Sequence, residues 1–126
     1  MNFLKNKILF RCEAGRVPEI GKGHLYRSIT IAKILKKKYK IQNNKILFIT
    51  KSQNKHDISI KILKKFRFRY KLYPDHFLNE NTSPENNILK KNPASILIID
   101  RWGNTNKKTL FFLKTVFSKV ILVDDI

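Results

Sequence analysis

The sequence holds a single cysteine, Cys12, among 126 residues. One thiol closes no internal disulfide and builds no cysteine zinc site, so neither device holds this chain together. Long apolar runs are also missing, because Lys, Arg or Asn interrupts each one well short of the ~20 residues a membrane-crossing helix needs. Near the N-terminus, Ile8-Leu9-Phe10 meets Arg11 before it reaches the length of a secretory signal's apolar stretch. The expected location is therefore cytoplasmic. Acidic side chains are scarce, with 9 Asp+Glu against 27 Lys+Arg and a net charge of +18. Apolar residues are not scarce: they make up 42% of the chain and include 9 Phe, 4 Tyr and 1 Trp. A chain of this length buries one core, hiding roughly 65–70% of the surface its unfolded form exposes.

An excess of this size would suit a nucleic-acid-binding domain, but its make-up points elsewhere. Lysine supplies 21 of the 27 cations and arginine six, whereas base reading relies on arginine forks. The cations are spread along the chain, with short clusters only at Lys36-Lys37-Lys38, Lys64-Lys65 and Lys90-Lys91. A specific nucleic-acid partner is not expected. A basic face that draws phosphorylated small molecules fits the pattern better.

Short apolar runs alternate with helical patterns, the signature of βαβ units and a mostly parallel sheet. Five strands are expected, at residues 8–12, 46–49, 66–73, 96–99 and 120–123. A loop over 13–22 precedes a helix over 23–39, whose apolar Leu25, Ile29, Ala32, Leu35 and Tyr39 mark one face. Further helices are expected over 56–65, 85–91 and 106–118. The third run alternates Phe66, Phe68, Tyr70 and Leu72 with Arg67, Arg69 and Lys71, as an edge strand with one solvated face does. The fold class is α/β, a doubly wound five-stranded sheet of order 3-2-1-4-5. Ligands bind such sheets where strands one and four part, at their C-terminal ends. The chain ends just after the fifth strand, and the expectation is a half that works with a second domain or chain.

Chemistry concentrates in the segment Ile20-Gly21-Lys22-Gly23-His24-Leu25-Tyr26-Arg27. Two glycines let the backbone turn tightly and a ligand approach closely, and a helix start behind them offers unpaired N–H groups to an anion. Tyr26 stands at the third glycine position of the dinucleotide fingerprint, and Gly23 stands where a Walker A loop needs Ser or Thr, so neither motif is present. The positive end of a helix disfavours the imidazolium, which would leave His24 neutral and able to accept a proton from water. Arg27, one turn on, could hold a phosphate or a carboxylate that orients the histidine; the plain alternative is a capping histidine and a solvated arginine. Asp100 ends the fourth strand, where it could orient His24, bind a sugar hydroxyl or serve as a turn residue. Glu13 could reach the same crevice or serve only at the surface, and Trp102, which could stack on a sugar face, is read as packing. Asp124-Asp125 has no third carboxylate or histidine nearby in sequence, so no metal is expected there. Cys12 is read as inert, and His56-Asp57 and Asp75-His76 as structural or solvated.

The run Ile8-Leu9-Phe10-Arg11-Cys12-Glu13-Ala14-Gly15, followed by Ile20-Gly21-Lys22-Gly23-His24-Leu25-Tyr26-Arg27-Ser28-Ile29-Thr30-Ile31-Ala32, resembles the opening of the PseG/SpsG family. The type activity of that family is a UDP-sugar hydrolase of pseudaminic acid biosynthesis. Its members begin with a strand ending Arg-Ala-Asp-Ala/Gly, then Ile-Gly-x-Gly-His-x-x-Arg-x-x-x-Leu-Ala; Glu13 stands where the family has aspartate. Ile98-Ile99-Asp100 and Val123-Asp124-Asp125 are similar to later family segments. The resemblance implies the N-terminal Rossmann-like domain of a GT-B architecture, whose C-terminal nucleotide-binding domain is supplied by a second domain or chain. It implies His24 as the catalytic histidine, placing or deprotonating the water that attacks the anomeric carbon of a UDP-diacetamido-trideoxyhexose and expels UDP with inversion. Arg11, Glu13, Gly21, Gly23, Arg27 and Asp100 are the expected substrate contacts, and no cofactor is expected. Two other readings stay open: a non-catalytic module binding a phosphorylated ligand or a protein, and half of a GT-B glycosyltransferase.

Overall fold

The computed structural model describes the backbone of residues 7–12, 18–52, 58–100 and 104–123, and their side chains except at 18–24, 52, 58–59 and 75. The strands are β1 (Ile8–Cys12), β2 (Ile46–Ser52), β3 (Arg69–Pro74), β4 (Ile96–Asp100) and β5 (Lys119–Leu122). The helices are α1 (Pro18–Tyr39), α2 (Ile58–Lys65), α3 (Ser83–Lys90) and α4 (Lys107–Val116), with short 3-10 turns at Asn43–Lys45 and Asp75–Phe77. All neighbouring strands pair in parallel, in the order β3-β2-β1-β4-β5. The chain is thus a Rossmann-like α/β fold.

Side-chain alternation divides the core into two layers. Ile8, Phe10 and Cys12 of β1 pack with Leu25, Ile29 and Ala32 of α1 and Ile62 and Leu63 of α2. Leu9, between them, packs with Leu89 of α3 and with Leu113 and Phe117 at the end of α4. Burial on both faces is why β1 and β4 read as continuous apolar runs; all five residues of each are buried. In the first layer Phe10 stacks on Phe48 with ring centroids 4.7 Å apart and 7° between planes, worth about 0.5–1.5 kcal/mol beyond area burial. The edge strands β3 and β5 are mostly half-buried or exposed.

Two element starts differ from expectation by three residues or more, the others by two or fewer. β3 begins at Arg69 and not Phe66, because 66–68 close α2 instead. Phe68 N–H donates to the Leu63 carbonyl and Arg67 N–H to the Lys64 carbonyl, while Arg67 takes a left-handed φ of 61°. This paired closure usually has glycine at the left-handed position. Phe68 then buries against the same cluster as Leu63. α1, in turn, begins at Pro18, five residues before the expected start at Gly23. Pro18 suits a first helical position, since its fixed φ is helical and its missing N–H would go unpaired there anyway.

Candidate functional site

The parallel order puts the C-terminal ends of β1 and β4 side by side, with Cys12 opposite Asp100. Each strand ends on a charged or polar group, and the alternation sends these groups to opposite faces. Asp100 follows the parity of Ile98 and faces α1; Arg11 follows Leu9 and faces α3.

On the α1 side, Asp100 is fully buried and Arg27 keeps 34% of its side chain open to solvent. Arg27 Nε donates to Asp100 Oδ2 at 2.8 Å and Nη2 to Oδ1 at 2.5 Å. Ser28 Oγ adds a third contact to Oδ2 at 3.3 Å. A two-pronged guanidinium–carboxylate pair fixes both direction and position of the cation. Arg27 therefore holds the carboxylate of Asp100. Asp100 orients that guanidinium, so its oxygens are already engaged by protein donors. The pair is formally neutral as a unit; Asp100 fixes the direction of a guanidinium that stays partly open to solvent at the rim of the sheet.

On the α3 side, Arg11 and Glu85 form an ion pair with Nε–Oε1 at 2.9 Å, each side chain 1% exposed. Arg11 Nη1 also donates to the Cys12 carbonyl at 3.2 Å. The structure therefore places Arg11, expected to touch substrate, inside the second layer as a strut between β1 and α3. A direct substrate contact would require it to leave a buried carboxylate.

The expected glycine loop is corrected in part. Gly21, Gly23 and His24 lie within α1, so the helix start is not behind Gly23, and His24 is the seventh helical residue. The field of a helix end fades within its first turn, which removes the electrostatic argument for holding His24 neutral. The helical backbone supplies a different relation. Positions 24, 27 and 28 are spaced by three and four, so the helical backbone sets position 24 on the face of Arg27 and Ser28. α1 follows β1 and runs back along the sheet, so position 24 lies one turn nearer the C-terminal rim than Ser28. Glu13, Trp102, His56-Asp57 and Asp124-Asp125 lie outside the described residues. Cys12 is buried in the first core layer. His76 sits beside Phe77, ring centroids 4.2 Å apart.

Two contributors escaped sequence reasoning. Glu85 carried no sign of its partner 74 positions away, although strand alternation already set Arg11 on the face opposite Phe10. Asn81 clamps the approach to α4, its Nδ2 donating to the Asn104 carbonyl and its Oδ1 accepting from Asn106 N–H, both at 2.8 Å. Asn106 then caps α4 by accepting from Thr109 N–H at 2.8 Å. The left-handed φ of 64° at Asn81 is one that asparagine adopts more readily than most residues.

Among the described residues, no cluster of three or more His, Cys, Asp or Glu could hold a metal ion, and no helix is long and apolar enough to cross a membrane. No protein-family model matches the chain, and no curated protein matches it significantly.

Proposed function

We propose that this chain is the N-terminal half of a GT-B-type hydrolase that releases UDP from a UDP-diacetamido-trideoxyhexose, working with a second, nucleotide-binding domain or chain. In this reading His24 accepts a proton from water as the water oxygen bonds to the anomeric carbon. The bond from that carbon to the diphosphate oxygen breaks, UDP leaves with the electron pair, and the configuration inverts. Arg27, held by Asp100, presents the solvent-open edge of its guanidinium as a hydrogen-bond donor to the anionic part of the substrate. The observation that carries the reading is the place of position 24, one helical turn toward the rim from the Arg27–Ser28–Asp100 group at the β1/β4 switch point. The sequence from Ile20 to Ala32, similar to the PseG/SpsG family, supplies the substrate class.

The test is UDP release from that sugar nucleotide by the chain alone and mixed with a family-type C-terminal domain. Release in the mixture supports the reading; a folded mixture that releases none refutes it. One observation favours a second reading, a binding module without chemistry. Arg11 and Asp100, both expected substrate contacts, are engaged inside the protein. Such a module would hold the sugar nucleotide and leave it intact.

A further inference from the structure

We propose a second anion site at the opposite, N-terminal edge of the sheet, one that takes a compact phosphorylated ligand through its phosphate. The edge is built by topology. In a parallel sheet all strand starts meet at one edge, with neighbouring strands about 4.8 Å apart. The order β3-β2-β1 therefore gathers Arg69 at the start of β3, Lys45 just before β2 and Lys7 just before β1, residues far apart in sequence. These three, with Lys71, line a pocket of about 130 Å³ that also includes Asn44 and Asn92 and has no acidic side chain among the described residues of its wall.

Two of the cations are held in place. Arg69 Nη1 donates to the Asn44 carbonyl at 2.7 Å. Lys71 Nζ donates to Asn92 Oδ1 at 2.8 Å. Asn92 is itself 4% exposed, and its Nδ2 donates to the Ile88 carbonyl at 2.7 Å, which turns its oxygen toward Lys71. The side chains of Lys7 and Lys45 have no hydrogen-bond or ion-pair partner among the described residues. Four cations around a small concave space, with no carboxylate among the described residues of its wall, favour a multiply charged anion over a singly charged one. The volume admits a phosphate or a diphosphate group and leaves any attached nucleoside outside. This site does not depend on the hydrolase reading, since it lies across the sheet from Arg27 and Asp100.

The general basicity of the chain is the competing explanation, and the experiment is built to separate the two. Binding of inorganic phosphate, inorganic diphosphate and adenosine diphosphate is measured by titration calorimetry on the wild-type chain, on Arg69→Gln/Lys71→Gln, on Lys7→Gln/Lys45→Gln, and on a charge-matched control, Lys107→Gln/Lys114→Gln, on α4. All six substituted side chains lie outside the buried core, so the variants should fold, and far-ultraviolet circular dichroism checks this. The proposal expects one saturable site per chain, tighter for diphosphate than for phosphate. Each pocket pair should weaken it about tenfold or more, about 1.4 kcal/mol, while the control leaves it within about twofold. Equal affinity for inorganic diphosphate and adenosine diphosphate would identify a free-anion site, and a preference for the nucleotide would place a nucleoside at its mouth; both support the phosphate contact. Equal weakening by the control, absence of saturation, or binding only of an oligonucleotide added as a fourth probe would overturn it.

Discussion

Replacing Glu85 with Gln removes the carboxylate from an ion pair whose two side chains are each 1% exposed. Such a pair adds little net stability over an apolar pair of the same shape, because desolvating both charges offsets most of their attraction. Losing one partner is different, since the remaining guanidinium stays buried beside a neutral amide that supports it poorly. Breaking a buried pair in this way costs about 3–5 kcal/mol, against a total stability of about 5–15 kcal/mol for a domain. With a urea dependence of about 1–3 kcal/mol per molar, Glu85→Gln should lower the unfolding midpoint by about 2 M. The paired replacement Arg11→Met/Glu85→Leu should restore most of that loss, because neither charge remains in the second layer. Equilibrium urea unfolding followed by circular dichroism on the wild type, Glu85→Gln, the single variants Arg11→Met and Glu85→Leu, and the double variant measures the coupling. A midpoint shift below about 0.5 M for Glu85→Gln, or single-variant losses that simply add in the double variant, would refute the view of Arg11 as a strut. Arg11 would then be available to substrate after all.

Three smaller predictions follow from the same contacts. Gly23→Ala should raise stability by about 0.5–1 kcal/mol if position 23 is interior helix, as glycine there is less favourable than alanine; a loss of stability in thermal unfolding would restore the glycine loop read from the sequence. Arg67→Gly should also stabilise, by about 0.5–1 kcal/mol, because glycine carries no Cβ penalty at the left-handed closure of α2; a destabilised variant in urea unfolding would contradict that geometry. Arg27→Ala should destabilise by about 2–3 kcal/mol, less than the Arg11 strut because Arg27 is partly solvated. Unfolding that matches the wild type within about 0.5 kcal/mol would show that Asp100 does not need this partner.

The fold was legible where local signals and burial agreed. β1 occupies the residues its apolar run marked, and the strand order follows from the alternation of strands and helices. The start of α1 was not legible, because Gly21 and Gly23 read locally as a turn while the helix absorbs their cost, about 1 kcal/mol each. Phe66 and Phe68 fit an alternating strand pattern, yet the closure of α2 uses them, with Phe68 bonded back to Leu63. At the site, the sequence marked Arg27 and Asp100 separately. Their pairing spans 73 positions and crosses from helix to sheet, a relation no local spacing carries. The gathering of Lys7, Lys45, Arg69 and Lys71 needed the strand order and register as well as the charges. Composition alone gave the basic character and its suitability for phosphate.

The most direct measurement of the proposed chemistry is His24→Ala in the reconstituted UDP-release assay, with turnover and sugar-nucleotide binding measured on the same preparation. A residue that takes a proton in the transition state contributes about 10²–10⁴ in rate. Turnover should fall by that factor while the dissociation constant stays within about threefold. Turnover equal to wild type, with the variant folded, would contradict the assignment of His24 and the hydrolase mechanism built on it.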